Sequence, residues 1–121
     1  MSGVSTHVLD TAVGRPAEGV RVTLERASTA AGDSALGSRP PALGGGVTDA
    51  DGRVRELLPP GAALGEGTYW LRFAVGEYFE HARREAFYPE VVVVFRVGTA
   101  GGHYHVPLLL NPFGYSTYRG S

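Results

Sequence analysis

The chain has 121 residues, enough for one domain, and its formal charge of −1 creates no general attraction to nucleic acid or anionic membrane. It contains no cysteine, and its eleven basic residues are all arginine, so disulfides, thiolate nucleophiles, cysteine-ligated metals and Schiff-base lysines are excluded together. Eighteen glycines and eight prolines predict many turns and short strands rather than long helices.

In chain order, THVLD from Thr6 to Asp10 reads as a short strand, followed by a turn region holding Gly14, Pro16 and Gly19. GVRVTLERA then alternates: Val20, Val22 and Leu24 face one way, and Arg21, Thr23 and Glu25 face the other. Residues 27–46 are rich in Gly, Ala, Ser and Pro and show no periodicity. They are expected to form a flexible loop insertion that carries no chemistry. VTDADGRVREL predicts a strand, a tight turn at Asp49–Gly52 and a second strand, the Asp-Gly pair being the turn signal. TYWLRFAVG, Thr68 to Gly76, is aromatic and β-branched and reads as a strand.

EYFEHARRE, from Glu77, is the one convincing helical patch, with Glu80 and Arg84 four apart in acid-before-base order. EVVVVFRVG is apolar enough to be buried on both faces or to lie at a subunit contact, and HYHVPLLL and YSTY complete the series. About eight short strands predict an all-β antiparallel sandwich or barrel, a single domain over residues 1–121. No apolar run approaches the length of a spanning helix. The start, MSGVSTHVLD, lacks the basic and apolar regions of a leader, and a cytoplasmic protein is the expectation.

No G-x-S-x-G elbow, G-x-G-x-x-G fingerprint or P-loop occurs, so chemistry falls to the histidines at 7, 81, 103 and 105. His81, among Glu80, Arg83 and Arg84, reads as a solvated surface residue. His103 and His105 are two apart on a strand, so both leave one face while Tyr104 leaves the other. Spacing alone favours structural histidines, and it leaves two sharper readings open. With His7 the pair could form a three-histidine metal site, although no neighbouring acid supplies an outer shell. Alternatively, imidazoles near neutrality could activate water without a metal while an arginine orients a polarised substrate. Arg53 follows the Asp-Gly turn; locally it reads as a solvated strand end, and functionally as a planar grip on a carbonyl-rich ligand.

Taken together, THVLDTAVGRPAEGVRVTLER, TDADGR, GEYFEHARREAFYPEV and HYHVPLLLNPFGYSTYRGS resemble the transthyretin-related 5-hydroxyisourate hydrolases, in order and over nearly the whole chain apart from the insertion. The closing YRGS is the most specific element, because the hormone carrier transthyretin lacks that ending and lacks the histidine and arginine set. Two departures touch no matched residue: Asn111, where many relatives have serine, and the insertion itself.

The resemblance implies a transthyretin-like eight-stranded antiparallel β-sandwich with one short α-helix. It implies a homotetramer of dihedral symmetry, with sites in a channel across the dimer–dimer contact. The apolar excess in VPLLL and VVVVF fits such a contact. It implies hydrolysis of 5-hydroxyisourate to the ureido-imidazoline carboxylate OHCU in urate degradation, with no cofactor and no metal. By motif match, His7 and His105 would be the general-base pair and Arg53 the group holding the ring carbonyls. Tyr118, Arg119 and Gly120 would contact substrate, Ser121 would be a further catalytic residue that closes the pocket with Tyr118, and His103 would be a supporting neighbour. The chain is expected to end at Ser121 because its end is part of the pocket. The rival from another class is a transthyretin-like carrier that binds a small molecule without turnover.

Overall fold

The computed structural model describes residues 3–27, 41–99 and 101–121. Among them, nine strands and one helix follow in order: β1 (Gly3–Asp10), β2 (Arg15–Pro16), β3 (Arg21–Arg26), β4 (Ala42–Val47), β5 (Arg53–Val54), β6 (Gly67–Phe73), α1 (Val75–His81), β7 (Val91–Val97), β8 (His103–Asn111) and β9 (Gly114–Thr117). They build two sheets, one ordered β2-β1-β8-β9 with β5 also on β1, the other β4-β3-β6-β7. The inner faces meet over a core that includes Leu24, Tyr69, Leu71, Phe73 and Leu108, with Phe79 of the helix added to it.

The predicted sandwich with a single short helix is what forms among the described residues, but it is not wholly antiparallel. β1 and β8 run parallel over eight residue pairs, from Gly3–His103 to Asp10–Leu110, while every other strand pairing is antiparallel. Alternation in sequence reports which face a residue takes, and it carries no information on the direction of the neighbouring strand. The nine strands counted among the described residues include two that are only two-residue pairings along one edge of β1.

The expected insertion over 27–46 needs correction at its end. Ala42–Val47 form β4, paired along β3. Its glycines hide the strand from a periodicity reading, yet they are what lets the two backbones approach. A Cβ at Gly45 would lie 2.5 Å from the Val22 carbonyl oxygen. Residues 28–40 lie outside the described residues.

The Asp49–Gly52 turn forms as predicted. Asp49 Oδ1 accepts the N–H groups of Asp51 at 2.9 Å and Arg53 at 3.0 Å, and Gly52 supplies a φ of 78°. The turn does not return the chain to β4, however. It delivers β5 to β1 in the other sheet, with His7 opposite Arg53.

Two charged pairings also differ from the sequence reading. Glu25, assigned to the solvent face of β3, is buried, because Arg72 holds its carboxylate at 3.1 and 3.2 Å and itself also binds Glu90. Arg84 does not pair with Glu80. The helix stops at His81, Arg83 takes φ 55°, and Arg84 swings to the buried Asp10 at the end of β1. That contact is bidentate, at 2.6 and 3.2 Å, and the Tyr78 hydroxyl donates to the same carboxylate at 2.7 Å. Burial raises the Asp10 pKa, but these donors outweigh it and hold the carboxyl below its ordinary value. The same environment pushes Tyr78 up to about 12, burial being the largest cause and the Asp10 bond the next.

On β7, Val91, Val93 and Val97 are buried while Val94 is 58% exposed at the edge of its sheet. Within one chain the strand is therefore not covered on both faces.

Candidate active site

Alternation along β1 sends Val4, Thr6, Val8 and Asp10 inward and Ser5, His7 and Leu9 outward. On β8, Tyr104, Val106, Leu108 and Leu110 point inward, which puts His103 and His105 outward. Parallel pairing aligns Ser5 with His105 and His7 with Pro107. The outward face of this sheet thus gathers polar and titratable side chains from two strands distant in sequence. It does so because the inward positions are committed to the core; the buried Thr6 is itself satisfied by donating to the Val106 carbonyl at 2.6 Å.

A groove of about 250 Å³ opens on this face, walled by Ser5, Arg53, Arg55, His103, His105 and Ser121. Arg53 reaches it because β5 is laid beside His7. Ser121 reaches it because the chain folds back on β8: Gly120 bridges to His105, its N–H donating to the His105 carbonyl at 2.8 Å. Between that bridge and β9 the ladder is interrupted without a change of register. Pro107 brings no N–H, and the regular β8–β9 ladder stops at Leu108–Thr117. Thr117 Oγ1 then caps the Pro107 carbonyl at 2.7 Å.

The groove unites Arg53, His103, His105 and Ser121; the expected His7 and Gly120 are not in its lining, His7 lying in register beside Arg53 and Gly120 against His105. It does not include Tyr118 or Arg119. Those two residues line a separate cavity of about 270 Å³ with Phe95 and Tyr104, where the Arg119 guanidinium stands 4.8 Å from the Tyr104 ring centre. His105 borders both spaces.

The His105 imidazole is held below its ordinary pKa. Partial burial is the largest cause, followed by the positive charge of Arg53 and then by His7 and His103. A ring so placed stays neutral, and able to accept a proton, further into the acid range than free imidazole. Among the described residues, no three His, Cys, Asp or Glu side chains converge as a metal-ligand set.

One residue of the site goes unread in the sequence. Ser5 Oγ stands 2.8 Å from His103 Nε2 and 2.7 Å from His105 Nδ1, bridging the two rings. Its spacing of two from His7 places it on the same strand face, but only the β1–β8 register brings it to the pair.

Comparison with known proteins bears directly on this arrangement. The HIUase/transthyretin family model matches residues 4–120. The chain belongs to this family. A 5-hydroxyisourate hydrolase of Deinococcus radiodurans is 47% identical over 122 residues, covering 98% of this chain and 96% of the relative. A 5-hydroxyisourate hydrolase of Caulobacter vibrioides is 43% identical over 125 residues, covering all of both chains. Among solved family members, the Klebsiella pneumoniae 5-hydroxyisourate hydrolase superposes with a TM-score of 0.80 at 39% identity over the full length of both chains. Sea bream transthyretin, solved with thyroxine, gives 0.82 at 26% identity over 98% of this chain and 94% of its own. Both of these proteins share the two-sheet frame of this chain.

Proposed function

We propose that the chain is an enzyme that hydrolyses 5-hydroxyisourate in urate degradation, with the outward groove of the β1–β8 sheet as its active site. The carrying observation is the convergence of Arg53, His103, His105 and Ser121 in one groove, in a chain whose nearly full-length relatives are 5-hydroxyisourate hydrolases.

Water is the nucleophile and a ring carbonyl the target. His105 is neutral at working pH. Its Nδ1 is engaged by Ser5, which leaves Nε2 to take the proton from water, with His7 as its partner base. Arg53 fixes the ring carbonyls and stabilises the negative charge that grows on the attacked oxygen. As the tetrahedral centre collapses, the ring C–N bond breaks and the proton taken from water returns to the departing nitrogen. Ser121 closes one wall of the groove, and Gly120 sets the position of the His105 ring. Tyr118 and Arg119 act from the neighbouring cavity, shaping the approach to His105. The mechanism needs only proton transfer and fixed charge, without cofactor or metal, and the reaction belongs to the cytoplasm.

The working form is a homotetramer in which a second pair of chains covers the groove across a dimer–dimer contact. Exposed apolar groups support this reading: Val94 on the β7 edge, Phe113 at the β8–β9 turn and Val13 beyond β1.

The decisive experiment follows the ultraviolet decay of freshly generated 5-hydroxyisourate with wild-type protein, with His105→Asn and with no protein. Fast decay with wild type and a loss of about 10²–10⁴-fold with the variant is the expected result. Binding of a urate-like analogue without consumption of substrate would instead make the chain a carrier.

A further inference from the structure

The bridging position of Ser5 has a chemical consequence. A serine hydroxyl has one proton to donate and lone pairs to accept with. Standing between His103 Nε2 at 2.8 Å and His105 Nδ1 at 2.7 Å, it can donate to one ring only, so the other ring must donate to it. The two imidazoles are therefore coupled. If Ser5 donates to His103, His105 must carry its proton on Nδ1, and its Nε2 is a bare lone pair. If Ser5 donates to His105, a neutral His105 carries its proton on Nε2 and cannot act there as a base.

We propose that Ser5 is a positioning residue that sets the His105 tautomer and relays the proton abstracted from water to His103. This rests on the reading of His105 as the base. In the resting state His105 Nδ1–H donates to Ser5 Oγ, and the Ser5 hydroxyl donates to His103 Nε2. On attack, the new C–O bond forms from a water lone pair, and the carbonyl π pair moves onto its oxygen. The water proton goes to His105 Nε2, the Nδ1 proton passes to Ser5 Oγ, and the Ser5 proton passes to His103 Nε2. The net result is a neutral His105 and a positive charge on His103, with no atom or electron left over. The reverse passage returns a proton for the departing nitrogen.

The surroundings favour this direction of charge flow. His105 is half-buried, and it faces Arg53 and His7, with Arg55 also in the groove wall, so a cation there is disfavoured. His103 is exposed to solvent. The Glu56 carboxylate also lies near its Nδ1, because a Cβ built on Gly3 would meet both groups. Glu56 is itself fixed, accepting the Val4 and Leu58 N–H groups at 3.1 Å each.

Nitrogen-15 imidazole spectra of the full-length protein test the assignment directly. Wild-type His105 is expected as the Nδ1–H tautomer; an Nε2–H tautomer at neutral pH would overturn the proposal even if no variant folded. Ser5→Ala should lower kcat by about 10–100-fold with KM little changed, and should move His105 toward the Nε2–H form. Ser5→Thr, which keeps the hydroxyl, should restore most of the rate and the wild-type tautomer. Unchanged kcat in Ser5→Ala, or a Thr variant as impaired as the Ala one, would overturn the relay. His105→Asn separates the two levels of inference: an active His105→Asn protein removes the base itself, whereas an inactive one with a fully active Ser5→Ala removes only the relay.

Discussion

Gly120 and His105 are locked together: the Gly120 N–H donates to the His105 carbonyl at 2.8 Å, and a Cβ on Gly120 would lie 2.5 Å from His105 Cδ2. The chain's final turn is therefore seated on the ring proposed as the base, and glycine is required there for close approach. Gly120→Ala should push the ring out of line or lift the last residues from β8. A fall in kcat of about 100-fold is expected, the scale of an ångström's misplacement in a catalytic group. Steady-state rates beside an unchanged melting temperature would check that the loss is local.

The depressed His105 pKa predicts the acid limb of the pH–rate profile. The neutral ring is the active form, so kcat/KM should hold as pH falls below histidine's ordinary value of about 6.5 and drop only at more acidic pH. Burial is the first cause of this shift and Arg53 the second. Arg53→Gln should therefore move the midpoint part of the way back up while also lowering the rate. A midpoint that stays in place in Arg53→Gln would remove Arg53 from the electrostatics of the base.

Asp10 and Arg84 predict a stability effect remote from the groove. Asp10 is fully buried and Arg84 three-quarters so, and together with Tyr78 they tie the end of β1 to the segment after α1. Arg84→Ala leaves a buried carboxylate short of its main partner and should cost about 3–5 kcal/mol in urea unfolding. Because the folded pKa of Asp10 is lowered, this contribution is present above the ordinary aspartate range and is lost as pH falls through the folded value. The difference between wild type and Arg84→Ala should accordingly narrow toward low pH.

Ser121 in the groove wall predicts unequal tolerance at the two ends of the chain. A short Gly-Ser extension after Ser121 should impair turnover by about tenfold or more, since it must pass through the groove beside Arg53 and His105. The same extension before Met1 should be nearly neutral. Equal rates from both fusions would take Ser121 out of the site.

Much of the fold was legible in the residues. The alternation of Val20, Val22 and Leu24 and the Asp49–Gly52 turn depend on local chemistry that the sequence carries by itself. The short helix was legible only in place, since it runs from Val75 to His81 and takes in Val75 and Gly76, which the sequence assigned to the preceding strand. His103 and His105 on one strand face follow equally from a period of two. The glycine strand β4 escaped that reading, because residues without side chains leave no hydrophobic pattern and are selected instead by backbone proximity. Glu25 and Arg84 escaped it for a related reason: a charged side chain's burial depends on a partner found elsewhere in the chain, Arg72 in one case and Asp10 in the other.

The sequence alone determined the strand faces, the turns and the candidate chemistry of histidine and arginine without cysteine or lysine. Tertiary structure decided the parallel register of β1 on β8, and with it the meeting of Ser5 with His103 and His105. It decided the crossing of β5 that brings Arg53 beside His7, and the seating of the last residues on His105 that puts Ser121 and Arg119 in different cavities. Periodicity is a property of neighbours along the chain, whereas register is fixed by what two sheets can bury against each other. The site exists only where that long-range packing aligns the strands.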